Sequence, residues 1–420
     1  MGTDTLKLSK KIYKSEDEFN DLKGSWDTLT HKSGSDVFQL HEWQYSWWEV
    51  FGENNELHIV TYWLEDELIA ILPFFIQNIT LSRFRFSRTL QLIGSHLTTA
   101  KGGILPVDKA FGGYLDIIVH PDHISFVQNE MAVLFKDLLE IVDQIVLDEI
   151  PQRSLLVQFG SDNSNSSDWT FDLSKASSCS HCLIDSDWDL YLGTLSRSTR
   201  KNIRRGLRSV YDDHIFEIKQ SSDVHEFERS FDTLIRLHQD RWHRFDQPGI
   251  FADPRVRDLY KKTALRLFQS GNADIYWAEQ NGEVIAVELI YKYNHTIYAV
   301  QNGFDDTSEF SKYSPSNVIL YHIMKTGIEN GYLVFDWLRG TENYKSSTSN
   351  LVIRNQRLTF SARRHLSGLR ITLTNSLTDL LTKSKTERMV LSVYNENYTF
   401  RDFLKNYIRR LLNQTSVLSK

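Results

Sequence analysis

The segment from Tyr298 to Lys345 reads YAVQNGFDDTSEFSKYSPSNVILYHIMKTGIENGYLVFDWLRGTENYK. Its pattern predicts a strand at Ile297–Gln301, a helix that opens at Ser314–Asn317, and a short buried strand at Leu333–Phe335 with an aspartate at its exit. Polar groups that follow strand ends and open helices are where α/β enzymes place their chemistry. This stretch therefore predicts both an α/β fold and a functional site.

The size and composition of the chain limit what it can be. A chain of 420 residues is too long for one ordinary core, so we expect two domains. Hydrophobic residues make up 41%, which is typical of a globular protein and excludes a disordered one. The net charge of −6 argues against a dedicated DNA-binding protein, which is usually basic. The two cysteines are too few for a disulfide framework or four zinc ligands, so we expect reduced thiols.

The sequence carries no targeting or membrane signal. The N-terminal residues are polar and basic, unlike a signal peptide, and no apolar run has the length of a membrane span. Unpaired thiols suit a reducing compartment. We therefore expect a cytoplasmic protein without a membrane span.

A helix–sheet–helix order appears twice along the chain. The pattern restarts near residue 185, so we predict an N-terminal domain at 1–185 and a second domain at 186–375. Residues 376–420 are predicted to form a C-terminal helical tail. The expected fold is therefore α/β of the α+β kind, with a mixed twisted sheet flanked by helices in each domain.

Two long helices are predicted in detail. Ser15–Thr30 has an amphipathic pattern, with Ser15 and Glu18 placed to form a capping box. Asp187–Tyr211 is predicted as one continuous helix at the start of the second domain.

Four stretches together carry a resemblance to a known family. The first is FQLHEW at Phe38–Trp43 with Trp47-Trp48, followed by AILP at Ala70–Pro73. The others are the arginine-rich LSRSTRKNIRR at Leu195–Arg205, HQDRW at His238–Trp242, and YSP at Tyr313–Pro315 continuing to DWLRG at Asp336–Gly340 and Tyr344-Lys345. In this order they resemble the CelD-like, FemAB-related branch of the GNAT acyltransferase superfamily. The resemblance implies two GNAT-like domains in tandem and an acyltransferase reaction. It also implies a role in exopolysaccharide (cellulose-type) or cell-envelope biosynthesis.

The resemblance also implies a donor site at the opening of the predicted helix. Ser314, Pro315, Ser316 and Asn317 follow a strand and loop, where backbone N–H groups and the helix dipole favour phosphate. The implied co-substrate is acetyl-CoA or another acyl-CoA, with no metal. Ser316 stands where the family usually has glycine, and the Gln/Arg-x-x-Gly-x-Gly/Ala loop of ordinary GNAT enzymes is absent. The competing interpretation is a well-capped helix without a ligand.

The residues beyond the second strand supply candidate catalytic groups. In the GNAT architecture a tyrosine at the start of the next helix often protonates the departing thiolate, and Tyr344 holds that place; an aromatic residue that only packs is the alternative. Lys345 is a candidate for holding a phosphate or carboxylate, or it is simply solvated. Asp336 is a candidate base or a partner that orients Arg339 or Lys345, and a structural salt bridge is the competing account.

Four further residues are candidates because of their setting. Glu288 interrupts the apolar strand Val284–Tyr291, and burial would raise its pKa toward that of a useful base, whereas an open sheet face would leave it solvated. Gln301 on the neighbouring strand is a candidate for orienting a substrate. His238 and Trp242 share one helix face, where the histidine is either a base or a satisfied residue stacked on the tryptophan.

The helix around Arg197–Arg208 is strongly basic. It carries six Lys or Arg residues in twelve positions, including Arg204, with no acidic residue among them. Such a face is expected to bind the phosphates of a coenzyme, an anionic saccharide or RNA, and a solvated charged surface is the alternative.

The sequence therefore predicts an acyltransferase that moves an acyl group, expected to be acetyl, from acyl-CoA to an amine or hydroxyl of a small molecule or saccharide. The N-terminal half is expected to shape the acceptor cleft. Two rivals remain: a FemAB-type aminoacyltransferase that uses charged tRNA, and a catalytically silent scaffold in a polysaccharide-synthesis assembly.

Overall fold

The structure of the protein is a computed structural model, which describes residues 7–82, 85–95, 113–184, 187–340 and 342–362. The helices are α1 Glu16–Asp21, α2 Lys23–Ser33, α3 His41–Phe51, α4 Ile124–Ile141, α5 Leu155–Asp162, α6 Trp188–Thr194, α7 Arg197–Tyr211, α8 Val224–Arg244, α9 Pro254–Gln269, α10 Pro315–Glu329 and α11 Asn343–Thr348. The strands are β1 Leu8–Tyr13, β2 Glu56–Leu64, β3 Glu67–Ser82, β4 Arg85–Leu92, β5 Ile118–Val119, β6 Gln144–Pro151, β7 Trp169–Leu183, β8 Glu217–Gln220, β9 Ala273–Gln280, β10 Glu283–Tyr293, β11 Thr296–Phe304, β12 Val334–Arg339 and β13 Leu351–Ala362. The predicted helical tail at 376–420 lies outside the described residues.

The elements follow the same order in the two halves of the chain. The first copy runs through β1, α1–α3, β2–β4, α4, β6, α5 and β7. The second runs through β8, α8–α9, β9–β11, α10, β12, α11 and β13, with α6 and α7 placed before it. The predicted fold class, two copies of a mixed sheet flanked by helices, is confirmed.

The strands of both copies join in one sheet with the order β1-β2-β3-β4-β6-β13-β7-β12-β11-β10-β9-β8. The last strand of each copy lies in the sheet of the other, because β13 pairs with β6 while β7 pairs with β12. β13 and β7 also pair with each other along most of their length. Since the sheet is continuous through the exchanged strands, the boundary near residue 185 stays a prediction.

The parallel strands β11 and β12 are paired only where they begin. Their register joins Thr296 with Val334, Ile297 with Phe335 and Tyr298 with Asp336. Beyond that point β11 continues for six residues to Phe304. The sheet therefore opens into a wedge between the two strands.

Helices cover both faces of the second copy. On one face α6, α7 and α10 bury an apolar cluster that includes Ile203, Val318 and Trp337. On the other face α8 and α9 share a core with the N-terminal copy. Arg266 of α9 also reaches α3, where it forms an ion pair with Glu49.

Two helix predictions are wrong in extent. The helix predicted at Ser15–Thr30 is interrupted at Leu22, although its Ser15–Glu18 capping box is confirmed. The helix predicted at Asp187–Tyr211 is broken, because Leu195 is extended and the Ser196 side chain accepts a hydrogen bond from the Thr199 N–H to start α7. Local side-chain capping here outweighs the helical periodicity of the sequence.

Gly303 on β11 allows a close approach of α8 to the sheet. A Cβ at this position would lie 2.4 Å from the backbone oxygen of Leu234 and 2.9 Å from the backbone nitrogen of His238. Real side chains do not tolerate such contacts with backbone atoms. The glycine thus sets the distance between β11 and the part of α8 that carries His238.

We predict that Gly303→Ala lowers the free energy of unfolding by about 1–3 kcal/mol, because backbone atoms cannot yield to the added methyl group. Urea denaturation measures the change. Gly24→Ala in α2 is the matched control, since nothing lies within 4 Å of a Cβ there. The control should be neutral or stabilising by about 0.5–1 kcal/mol. Equal effects of the two substitutions would contradict the close approach.

Candidate active site

A cavity of about 870 Å³ lies at the wedge between β11 and β12. It is lined by residues of β11 and β12 beyond their last paired positions and by residues of α8, α9, α10 and α11. Its volume is within the range of sites that hold a cofactor or drug-sized ligand. Most of the residues predicted from sequence meet here.

The opening turn of α10 forms one wall of the cavity. Ser314, Pro315, Ser316 and Asn317 all line it. Ser314 is in the left-handed region, with φ of 55°, and its side chain caps none of the first-turn N–H groups. Pro315 occupies the first turn, as predicted, where its missing N–H costs nothing. This helix therefore presents uncapped amides and the positive end of its dipole to the cavity.

Glu288 lies in the same cavity and is only 1% exposed. Its carboxylate accepts a hydrogen bond from the Ser316 hydroxyl, and Asn302 faces it across the β10–β11 pair. Burial raises the pKa of Glu288 well above its ordinary value, against smaller lowering effects from the hydrogen bonds of Ser316 and Asn302. The side chain is thus a buried proton acceptor whose protonation changes at a higher pH than that of an exposed glutamate.

His238 and Trp242 project from α8 into the cavity. The His238 ring packs edge-on against Phe251 at 5.0 Å between centroids, and its Nδ1 lies 3.2 Å from the Gln239 Oε1. Burial lowers the pKa of His238 to about 4. The imidazole is therefore neutral at physiological pH.

Tyr344 and Lys345 lie on α11 at the cavity. The Tyr344 ring packs edge-on against Trp337 at 5.6 Å, and burial raises its pKa, so the phenol keeps its proton at neutral pH. The Lys345 Nζ donates to the backbone oxygen of Arg339 at 2.5 Å and lies 3.2 Å from a carboxylate oxygen of Glu342. Lys345 is therefore held in place at the cavity rather than solvated.

Asp336 lies inside β12, not at its exit, and it is fully buried away from the cavity. It accepts hydrogen bonds from the Tyr114 hydroxyl at 2.7 Å and from the Leu338 N–H at 2.7 Å, with His181 Nε2 at 3.3 Å. Burial raises the pKa of Asp336 and lowers that of His181. The structure therefore gives Asp336 a place in the wall behind the cavity, from which it cannot act directly on a substrate.

The remaining predicted residues divide into two groups. Gln301 and Arg339 line the cavity, whereas Arg204 points to solvent and lies 3.4 Å from Asp189. Its neighbour Arg205 instead lines a second hollow of about 400 Å³. The structure thus places Arg205 rather than Arg204 at this hollow, since one step along a helix turns a side chain by about 100°.

The second hollow continues the site toward α7. It shares Ser314, Asn317 and Tyr344 with the main cavity and adds Ser198, Asn202 and Arg205 from the basic helix. The basic face is thus not remote from the predicted donor site.

Several cavity residues were not predicted. Phe38 and Trp43 come from the N-terminal copy, while Thr263, Asn302 and Arg241 come from the second. Arg241 stands inside the quoted HQDRW stretch, and Asn302 could have been found as the residue next to Gln301. Phe38 and Trp43 are the two ends of the quoted FQLHEW stretch, but their place in the cavity depends on long-range packing.

Within the described ranges, no group of three or more His, Cys, Asp or Glu side chains is placed to hold a metal ion. None of the helices in those ranges is both long and apolar enough to cross a membrane.

Comparison with known proteins agrees with the geometry. Residues 197–346 match the family model of the acetyltransferase (GNAT) domain. This matched part of the chain resembles a GNAT domain. It includes α7 through most of α11, and hence the α8, α9, α10 and α11 walls of the cavity. No curated protein matches the chain significantly in sequence.

Solved structures show the likeness to extend beyond the GNAT domain. The crystal structure of FemX aligns with a TM-score of 0.53 at 10% identity, over 83% of this chain and 96% of that one. At this identity the likeness establishes a shared fold and no more. Weaker likenesses are to L-PGS from Bacillus licheniformis (TM-score 0.46, 12% identity, 86% and 96% covered) and to a tandem GNAT protein from the clavulanic acid biosynthesis pathway (TM-score 0.41, 9% identity, 86% and 100% covered). The match to the acetyltransferase (GNAT) domain and the shared fold with FemX agree with the resemblance found in the sequence, and the relation to the CelD-like, FemAB-related branch stays a prediction.

The raised pKa of Glu288 predicts how stability depends on pH. The folded protein keeps this proton to a higher pH than the unfolded chain, so the wild type loses stability as pH rises between the two pKa values. Glu288→Gln does not titrate, and its amide oxygen can still accept the Ser316 hydrogen bond. The variant should therefore gain stability relative to the wild type with rising pH, by at most about 1.4 kcal/mol per pH unit.

Urea denaturation of both proteins at pH 5, 6, 7 and 8 measures this difference. Glu226→Gln is the control, because hydrogen bonds from Ser222 lower the pKa of this glutamate, so that it titrates below the tested range. Its difference from the wild type should stay constant with pH. A constant difference for Glu288→Gln as well would show that Glu288 is not desolvated.

Proposed function

We propose that the chain transfers an acyl group, acetyl in the simplest case, from an acyl-CoA to an amine or hydroxyl acceptor. The observation that carries this proposal is one continuous cavity in which diverging strands, the uncapped first turn of α10 and the buried Glu288 carboxyl meet. The GNAT family match supports acyl transfer as the reaction class.

The donor would lie along the wedge. Its phosphates are expected at the amides of Ser316 and Asn317, where the helix dipole favours negative charge. Its extended amide-containing arm can pair with the backbone edge that β11 leaves open after Tyr298, in the manner of an added strand. Arg205 and Asn202 in the adjoining hollow extend the polar surface for further phosphate groups.

The chemistry requires a neutral nucleophile and a protonated leaving group. Glu288, in its ionised form, takes a proton from the acceptor amine directly or through water as the C–N bond forms. The C–S bond then breaks, and the Tyr344 hydroxyl donates to the departing sulfur. Because burial raises the pKa of Tyr344, its proton is present at every physiological pH.

Phe38 and Trp43 support the expectation that the N-terminal copy shapes the acceptor side. They are the cavity residues contributed by that copy. Exopolysaccharide or envelope biosynthesis, in the cytoplasm where acyl-CoA is available, stays the expected setting from the CelD-like sequence motifs.

A tRNA-dependent aminoacyl transfer is the second candidate, favoured by two observations. α7 exposes Arg197, Lys201 and Arg205 beside the second hollow, and the chain shares its fold with FemX. The phosphate backbone of an RNA would bind such a face with a steep dependence on salt.

Thermal denaturation with acetyl-CoA, longer acyl-CoA species and aminoacyl-tRNA tests the donor. A donor that binds only the folded protein at 100 times its dissociation constant adds about 2.7 kcal/mol of stability. Stabilisation by a thioester that survives 0.3 M salt is the expected result. If only aminoacyl-tRNA stabilises the protein, and the effect is lost at high salt, aminoacyl transfer is favoured instead. If neither acyl-CoA nor aminoacyl-tRNA stabilises the protein, a scaffold is favoured.

The roles of Glu288 and Tyr344 predict distinct kinetic effects. The wild-type kcat/KM should rise with pH through the raised pKa of Glu288, because only the ionised carboxylate accepts a proton. Glu288→Gln should lower kcat by about 100-fold or more and remove that rise. Tyr344→Phe should lower kcat by about 100-fold with the pH dependence retained.

Thiol release from acyl-CoA follows both reactions. Tyr211→Phe is the control, because Tyr211 contacts His322 outside the cavity, and it should leave kcat unchanged. A Glu288→Gln enzyme that keeps the full rate and the same pH profile would remove Glu288 from the mechanism.

A further inference from the structure

Arg241 is a cation of the cavity whose hydrogen-bond donors are unused. It projects from α8, lines the cavity, and keeps 33% of its side-chain surface exposed, so a ligand can reach it. Its Nε is buried without a hydrogen-bond partner, and its two terminal amino groups donate to none of the residues that the structure describes. A guanidinium has five N–H donors in a fixed planar arrangement, and such groups usually find acceptors. Arg241 therefore has donors available for a ligand.

The nearest carboxylate does not use these donors. An oxygen of Asp306 lies 3.5 Å from the Nε of Arg241 without forming a hydrogen bond, and Asp306 accepts its hydrogen bond from Arg244 instead. Because the Nε side of the guanidinium faces Asp306, the two terminal amino groups are left for another acceptor. Asp306 thus balances the charge of Arg241 without occupying its terminal donors.

Aromatic rings restrict the orientation of this guanidinium. Its central carbon lies 4.5 Å from the ring centroid of Phe304, 5.6 Å from that of Phe245 and 5.9 Å from that of Trp242. Contacts between a cation and aromatic faces are attractive, and they limit the freedom of a long side chain. Trp242 also lines the cavity, and its indole N–H donates to no residue in the described ranges. The donors are therefore held in place before a ligand arrives, which favours binding.

The position of Arg241 points to the acceptor rather than to the donor. Its helix α8 shares a core with the N-terminal copy, whereas the amides proposed for the donor phosphates belong to α10 on the other face of the sheet. Arg241 is also near the proposed reacting end, since burial raises the pKa of Tyr344 and the positive charge of Arg241 opposes that rise. An anion bound by Arg241 would therefore lie on the acceptor side, close to the reacting amine.

We propose that the terminal amino groups of Arg241 bind an anionic oxygen group, a carboxylate or a phosphate, on the acceptor. This inference rests on the proposed acyl transfer and narrows the acceptor to an amine or alcohol that also carries negative charge. Amino acids, phosphorylated amines and phosphorylated amino sugars belong to this class, and simple alkylamines do not. Hydrogen bonds between a guanidinium and such an anion are charge-assisted and directional, so they fix the acceptor while Glu288 takes the proton from its amine.

Matched pairs of amines test the proposal, because the members of each pair differ only in the anionic group. The pairs are tyrosine and tyramine, lysine and cadaverine, phosphoethanolamine and ethanolamine, and glucosamine 6-phosphate and glucosamine. Thiol release from acetyl-CoA gives kcat and KM for each amine. A thermal shift with each amine alone gives binding that does not depend on turnover. The first two pairs test carboxylates and the last two test phosphates.

The wild type should have the higher kcat/KM for the anionic member of at least one pair, and that member should also give the larger thermal shift. Arg241→Gln should lower kcat/KM for this amine by about 10- to 100-fold, mainly through KM, and change that of its neutral counterpart less than about threefold. Arg241→Lys keeps the charge but not the paired donors, so its effect should be intermediate. Larger shifts and rates with the neutral member of every pair, or no shift with any anionic member, would overturn the proposal.

Arg236→Gln is the matched control. Arg236 lies on the same helix outside the cavity, with its guanidinium 3.7 Å from Asp240. The control should leave the ratio of the two kcat/KM values in each pair unchanged. A purely structural role of Arg241, in packing on Phe304, would lower the melting temperature and reduce the rates with both members of a pair alike, which would contradict the proposal.

The phosphates of the donor offer the same chemistry as an anionic acceptor. If Arg241 held them, Arg241→Gln would raise the KM for acetyl-CoA equally with every amine and leave the preference within each pair intact. That result would show the assignment to the acceptor to be wrong.

Failure of this inference differs from failure of the proposed function. If acyl-CoA binds and reacts but Arg241→Gln leaves the preference within each pair unchanged, only the assignment of Arg241 fails. If no acyl-CoA binds, acyl transfer fails. The thermal shifts of the wild type and Arg241→Gln with the amines alone then still decide whether Arg241 binds the anionic group.

Discussion

The site depends on the divergence of two parallel strands. β11 and β12 pair over three positions and then separate, so that backbone edges, the first turn of α10 and the side chains of α8 face one space. The turn in β12 is fixed by the Leu338 N–H, which donates to the buried Asp336 carboxylate instead of to a neighbouring strand. Leu338 takes a positive φ of 57°, a conformation that costs a non-glycine residue about 1 kcal/mol or more. Tyr114 and His181 hold Asp336 from behind, so the N-terminal copy supports the geometry of the second copy's site.

Low charge is the second property of this space. Burial holds His238 neutral and favours the protonated form of Glu288, while the arginine and lysine side chains at the cavity each face a carboxylate. An acyl transferase needs an acceptor amine without its proton, and a site of low charge favours that form. The dipole of α10 would supply the positive potential that the proposed phosphorylated donor requires.

The sequence predicted many of the residues that line the cavity, but not all of them. Ser314–Asn317 and Glu288 were found because a proline at a helix start and a charge inside an apolar strand are local signals that hold in the folded chain. The sequence pattern placed Asp336 at the exit of the strand, whereas it lies inside β12. Strand ends are the least certain part of such a pattern, and a shift of a few residues decides whether a side chain faces a substrate or the core. The prediction named Arg204 rather than Arg205, because a run of basic residues does not show which of them lies beside α10.

The exchange of final strands could not be predicted from sequence. β7 and β13 have the ordinary pattern of strands, and nothing local indicates that each completes the sheet of the other copy. Phe38 and Trp43 line a cavity whose other lining residues lie between His238 and Lys345, a relation that only tertiary packing creates.

A crystal structure of the chain with a bound acyl-CoA analogue is the most direct test of this account. We expect the analogue between β11 and β12, with its phosphates at the amides of Ser316 and Asn317 and its thioester beside Tyr344. An analogue bound elsewhere, or strands that stay closed to it at saturating concentration, would contradict the claim that their divergence makes the donor site.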